Sequence, residues 1–121
     1  MVMRAVLITG RTAGGTGSYL AIAFHKHGYH VLRGALHLQD AASRIPSSMR
    51  RSCVTSSASI PAAAAAAAIV GSGHNFEVLI DNAGMALVMP CLDTDLGGAR
   101  EVFETNMWGG LMLVQASRRF W

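Results

Sequence analysis

The chain has 121 residues, half of them hydrophobic and only 14% charged, with a net charge of +3. That is enough for one domain with a core, too little for two, and too apolar for a disordered segment. The nine arginines and single lysine form only two small clusters, Arg44 with Arg50 and Arg51, and Arg118 with Arg119. No aromatic residues alternate with them, which argues against nucleic-acid binding.

Cys53 and Cys91 stand alone without CxxC spacing, so the expectation is buried free thiols in a reducing compartment, with no disulfide and no metal. No charged-then-apolar leader opens the chain. The longest apolar block, 62–70, is too short for a transmembrane segment.

The chain is organised around residues 4–24. Ala5-Val6-Leu7-Ile8 reads as a strand covered on both faces. Gly10, Gly14, Gly15 and Gly17 follow, and from Ser18 the residues Leu20, Ile22, Ala23 and Phe24 read as a helix packed on a sheet. In a strand–turn–helix of this kind one glycine lets the chain reverse, another admits a pyrophosphate and a third allows close packing. The helix N-terminus then offers N–H groups and a positive dipole to phosphates. A mononucleotide P-loop requires Lys and then Ser or Thr after its last glycine, whereas Thr16-Gly17 follows Gly15 here, so the pattern indicates a dinucleotide.

His25-Lys26-His27-Gly28 reads as a helix end, with cations at the negative dipole and glycine as the cap. With His30 these histidines straddle a helix-to-strand boundary, which disfavours a metal site. Tyr29 to Leu32 reads as a second strand. Arg33 and His37 follow it with no acid before Asp40. A basic residue here accepts the 2′-phosphate of NADP, where an acid would hold the ribose of NAD; Arg33 is equally a solvated strand end.

Leu38 to Ile45 reads as a short helix stopped by Pro46, Ser47 to Ser52 as loop, and Cys53-Val54-Thr55 as a brief third strand. Pro61 opens an alanine-rich helix ended by Gly71 and Gly73. Phe76 to Ile80 reads as a fourth strand, followed by Asp81-Asn82-Ala83-Gly84 at the strand end where open α/β sheets bind ligands. Thr94 and Asp95 are candidate N-caps of a long helix from about Leu96 to Arg119. Phe103, Met107, Leu111 and Val114 give it an apolar face, and Gly109-Gly110 suggests close packing. Asn106 lies among these apolar residues, where a buried amide needs partners.

Together these motifs resemble the short-chain dehydrogenase/reductase family of NAD(P)-dependent oxidoreductases. Thr9-Gly10-Arg11-Thr12-Ala13-Gly14-Gly15-Thr16-Gly17 is similar to its cofactor turn, with one extra glycine. Asp81-Asn82-Ala83-Gly84 resembles its Asn-Asn-Ala-Gly motif with the first asparagine replaced. Glu104-Thr105-Asn106-Met107-Trp108-Gly109 is similar to the segment carrying its catalytic asparagine. Met89-Pro90 to Asp95-Leu96, with Trp108, is most like the fungal group resembling 1-acyl-dihydroxyacetone-phosphate reductase.

The resemblance implies a truncated Rossmann-type α/β domain over 1–121, a doubly wound parallel sheet of about four strands in the order three-two-one-four. It implies NADP, with NAD as the alternative, held by Gly10, Thr12, Gly14, Gly15, Gly17, Arg33, Asn82, Ala83 and Gly84, and Asn106 as the catalytic asparagine. It also implies a cytoplasmic protein, allows association with endoplasmic reticulum or lipid droplets, and makes the last helix a homo-oligomer contact.

The family's catalytic serine and its tyrosine with a lysine four residues later are missing. Ala23 stands four residues after Tyr19 and Arg33 four after Tyr29. Cys53 replaces an adenine-side aspartate, and Ala35-Leu36 an NADP-reading alanine-arginine pair. The resemblance covers the first half of a family member, so the expectation is a cofactor-binding portion without turnover alone. The alternatives are a non-catalytic nucleotide-binding or dimerising module, and an enzyme using Cys91 or His74 as proton donor. The fourth strand, left as an apolar edge, is expected to promote self-association.

Overall fold

The computed structural model describes residues 4–10, 14–34, 53–54 and 75–118. Four strands, β1 (Arg4–Ile8), β2 (His30–Gly34), β3 (Cys53–Val54) and β4 (Asn75–Ile80), form one sheet in the order β3-β2-β1-β4. All three pairings are parallel, as the family resemblance implies. Thr12, the helices expected over 38–45 and 62–70, and His74 lie outside the described residues.

The alternation of β1 explains why both faces of the sheet are covered. Ala5 and Leu7 point to one side, where they pack with Leu32, Phe76 and Leu113. Val6 and Ile8 point to the other and pack with Val31 and Ala21. Ala21 belongs to α1 (Thr16–Lys26), and Leu113 to a helix at the far end of the chain. Opposite faces of β1 are thus covered by helices that precede and follow β4, which makes the sheet doubly wound. β4 carries a bulge: Phe76 pairs with Ala5 but Val78 with Val6, leaving Glu77 over. The extra residue returns Leu79 to the Phe76 side, although the two are three positions apart.

α1 ends as its sequence implies. Lys26 is its last residue, His27 its cap, and Gly28 follows with φ +81°. The strand expected from Tyr29 begins one residue later, because Tyr29 closes the helix end by donating its N–H to Phe24 O at 3.1 Å. Its ring lies edge-on to Phe24 and beneath the Arg4 guanidinium, 4.4 Å from the ring centre. Arg4 also donates to Tyr29 OH and pairs with Glu77 at 2.6 Å. The bond to Glu77 pushes the guanidinium further above its already high range, so Arg4 stays charged at any working pH.

The expected long helix runs from Leu96 to Ser117, in three parts. α2 (Leu96–Phe103) leads into a π turn (Glu104–Gly109) and then α3 (Gly110–Ser117), with helical backbone at both joints. Asp95 is the N-cap, accepting from the Gly98 N–H at 2.7 Å, whereas Thr94 donates to Pro90 O. The inward face differs from the expected one. Phe103, Met107, Leu111 and Val114 are all exposed, and Leu113 and Ser117 are buried. Gly110 against Asp81, Leu113 against the sheet and the buried Ser117 turn inward at helical spacing, with Asn106 one turn earlier bonded to Met85. Cys91, expected to be buried, is an exposed free thiol in a single helical turn, Cys91–Asp93. No helix among the described residues is long and apolar enough to cross a membrane.

Candidate functional site at the carboxyl ends of β1 and β4

Thr9 is the centre of the site. Its backbone N–H continues the sheet to Ile80 O at 3.0 Å. Its hydroxyl donates to Asp81 Oδ1 at 2.7 Å and accepts from the N–H groups of Asn82 (3.1 Å) and Ala83 (3.0 Å). One donor and two acceptor positions exhaust what a hydroxyl can do. The side chain therefore clips the end of β4 to the end of β1.

Asn82 completes the clip from the other side. Its Nδ2 donates to Gly10 O at 2.7 Å and to Thr9 O at 3.2 Å. This closeness leaves no room for side chains. A Cβ on Gly10 would stand 2.5 Å from Ala83 N and 2.8 Å from Asn82 C, and Gly10 has φ +68°. A Cβ on Gly17 would stand 2.7 Å from Asn82 Nδ2 and 2.8 Å from Gly10 O. Gly10 lets the two strand ends meet, and Gly17 lets α1 pack on them.

Gly14 differs from these two. It has φ +82°, yet a Cβ there would meet nothing within 4 Å. Beside it, Gly15 is the N-cap of α1, with ordinary extended backbone and no side-chain cap, and no acidic residue lies in the first turn. A helix start without a capping side chain or an acid presents bare N–H groups and a positive dipole end to an anion. The residues present fit a diphosphate.

Asn106 stands within the π turn, where it is exposed rather than buried, yet both ends of its amide are satisfied. Its Oδ1 accepts from Met85 N and its Nδ2 donates to Met85 O, each at 2.8 Å. Gly84 lies alongside, where a Cβ would be 3.5 Å from Asn106 Oδ1. Residues 82–84 are thus held between the glycine turn on one side and the π turn on the other.

The structure brings Gly10, Gly14, Gly15, Gly17, Asn82, Ala83 and Gly84 to one end of the sheet, with Asn106 beside them. Arg33 lies at the same end through its backbone, paired with Ile8 and Cys53 across β2; its side chain and Thr12 are outside what is described. Among the described residues no group of three or more His, Cys, Asp or Glu is placed to hold a metal. Thr9, Asp81, Met85 and Gly110 escaped the sequence reading as site residues. Thr9 and Asp81 open the two motifs quoted above and Gly110 belongs to the close-packing glycine pair, but their contacts are tertiary: Thr9 meets Asp81 across 72 residues and Met85 meets Asn106 across 21, so local sequence does not reveal what they touch.

Parallel strands in the order 3-2-1-4, with the glycine turn after the first, define a Rossmann-type fold. The family model for short chain dehydrogenases matches residues 4–121, and the chain belongs to that family. It is 38% identical over 123 residues to the short-chain dehydrogenase ptmH of Penicillium ochrochloron, covering 95% of this chain and 43% of that protein. It is 29% identical over 113 residues to the NADPH-dependent 1-acyldihydroxyacetone phosphate reductase of Schizosaccharomyces pombe, covering 92% and 38%. The chain therefore spans about two fifths of the length of these relatives. Among solved structures, a short-chain dehydrogenase from Streptomyces avermitilis superposes with a TM-score of 0.84 at 22% identity, covering 99% of this chain and 45% of that one. ElxO with NADP bound superposes with a TM-score of 0.79 at 20% identity, covering 98% and 50%. These likenesses establish the fold.

Proposed function

We propose that this chain is the NADP(H)-binding portion of a carbonyl- or alcohol-transforming oxidoreductase. The uncapped N-terminus of α1, held against the β1 and β4 ends by the Thr9–Asn82 knit, carries the reading. Gly14, Gly15 and the first turn of α1 receive the diphosphate through backbone N–H groups, while Gly10 and Gly17 keep the turn in place. Asn82, Ala83 and Gly84 line the adjoining strand end, and Arg33, whose backbone lies at the carboxyl end of β2, is the residue assigned to the 2′-phosphate. When bound, the cofactor would supply hydride exchange with a carbonyl carbon, and the family resemblance assigns Asn106, tied to Met85 beside Gly84, the role of catalytic asparagine.

No tyrosine in the chain has a lysine four residues later, so on this reading it binds the dinucleotide without turning over by itself. Identity to the acyldihydroxyacetone phosphate reductase supports a lipid-precursor ketone as the substrate class of the whole enzyme.

The test is NADPH titration followed by nicotinamide fluorescence, with NADH in parallel and Gly15→Asp as the control. The cap position has φ −84° and ψ 168°, a conformation aspartate adopts readily. Its carboxylate improves the helix start by about 0.3–1 kcal/mol while repelling phosphate. Saturable NADPH binding that is lost in Gly15→Asp, with no loss of stability, is expected. Absence of saturable binding by the wild-type chain, or unchanged binding by Gly15→Asp, refutes the site.

A further inference from the structure

Asp81 does more than end β4. Oδ1 accepts the Thr9 hydroxyl at 2.7 Å, and Oδ2 is turned to the helix, where it occupies the space that a Cβ on Gly110 would fill; that Cβ would also be 3.4 Å from Asp81 Cγ. The carboxylate therefore touches the glycine turn through one oxygen and the first residue of α3 through the other. Four residues later the chain touches the same helix again, at Met85 and Asn106. Residues 81–85 run against one turn of the helix, 110 back to 106, and the wide π turn ends between the two ties.

We propose that Asp81 is a positioning residue for the dinucleotide site. It is the spacer that sets the distance between the turn bearing Gly10 and the π turn bearing Asn106, with Asn82-Ala83-Gly84 held between them. The proposal rests on the dinucleotide reading above. A side chain at residue 110 cannot enter unless the carboxylate swings away, and it cannot swing without abandoning Thr9. Removing the carboxylate leaves Thr9 without its acceptor and the helix without its stop. Asparagine has the same shape and can still accept from Thr9, so it satisfies both requirements without the charge.

The experiment compares the wild-type chain with Asp81→Ala, Gly110→Ala, their combination and Asp81→Asn. Amide exchange is read by NMR at Met85, whose N–H is held by Asn106, and at Val6 in the core as the global reference. NADPH affinity is measured on the same samples. Asp81→Ala and Gly110→Ala are each expected to speed Met85 exchange about tenfold more than they speed exchange at Val6. Each is expected to weaken NADPH about tenfold, less than the roughly 10²-fold that a 1 Å misplacement can cost in a catalysed reaction. Asp81→Asn is expected to stay within about twofold of wild type. The double variant is expected to lose less than the product of the singles, because the new methyl fills the space the carboxylate leaves.

Unchanged Met85 exchange in both single variants overturns the proposal. So does Val6 accelerating in step with Met85, which reduces Asp81 to a general stabiliser, or Asp81→Asn behaving like Asp81→Ala. A wild-type chain that fails to bind NADPH refutes the cofactor reading, while the exchange arm still decides the seating of the helix.

Discussion

Replacing Thr9 with valine keeps the shape of the side chain and removes its hydroxyl. Thr9 is only 4% exposed, so water cannot readily take the place of the lost oxygen at its own position. Three bonds disappear together: to Asp81, to Asn82 N and to Ala83 N. A buried donor left without a partner costs about 1–3 kcal/mol. Asn82 and Ala83 are half-buried and Asp81 exposed, so part of that loss is recovered by solvent, and the sum comes to about 2–4 kcal/mol. Against a typical domain stability of about 5–15 kcal/mol this is a large fraction. Thr9→Ser retains the oxygen and forfeits one methyl, worth about 1 kcal/mol. Urea unfolding followed by circular dichroism separates the two. Thr9→Val within about 0.5 kcal/mol of wild type, a surface-like effect, refutes the clip; so does a serine variant that loses as much as the valine.

The remaining predictions concern the helix and its surroundings. Leu113→Ala is expected to cost about 2–5 kcal/mol, since Leu113 is 7% exposed against the sheet. Leu111→Ala, at 48% exposure, is expected to change stability by less than about 0.5 kcal/mol; a reversed order in thermal unfolding contradicts the inward stripe. Asp95→Ala removes the cap bond to Gly98 and is expected to cost about 1 kcal/mol, read from the urea midpoint. The exposed Phe103, Met107, Leu111 and Val114 stripe, with the β4 edge, is expected to make the chain self-associate. Sedimentation velocity showing a monomer at all concentrations contradicts this, and Met107→Glu is expected to shift the distribution towards monomer.

The four strands were legible because each is a short apolar run bounded by glycine, proline or polar residues. The glycine turn was legible because backbone reversal and close approach leave few residue types to choose from. The inward face of the last helix was not. Hydrophobic periodicity selects the most apolar stripe, Phe103 to Val114. The stripe that turns inward contains Gly110 and Ser117, with Asn106 bonded to Met85 one turn earlier, residues whose merit is small size or two-sided hydrogen bonding rather than apolarity. The exposure of Cys91 was equally hidden, because burial of a thiol depends on what packs over it.

By itself, then, the sequence determined the parallel sheet, its strand order, the turn after β1 and the family to which the chain belongs. The strands and the turn follow from local preferences and motifs read within a few residues, and the parallel sheet and its order from the family resemblance those motifs carry. Only the tertiary structure decided that Thr9 closes β1 onto β4, that Asp81 stands between the glycine turn and Gly110, and that Asn106 grips Met85 from a π turn. Each of these pairs residues far apart in the chain, and such a pairing acquires its energy only when the folded sheet brings the partners within hydrogen-bond reach.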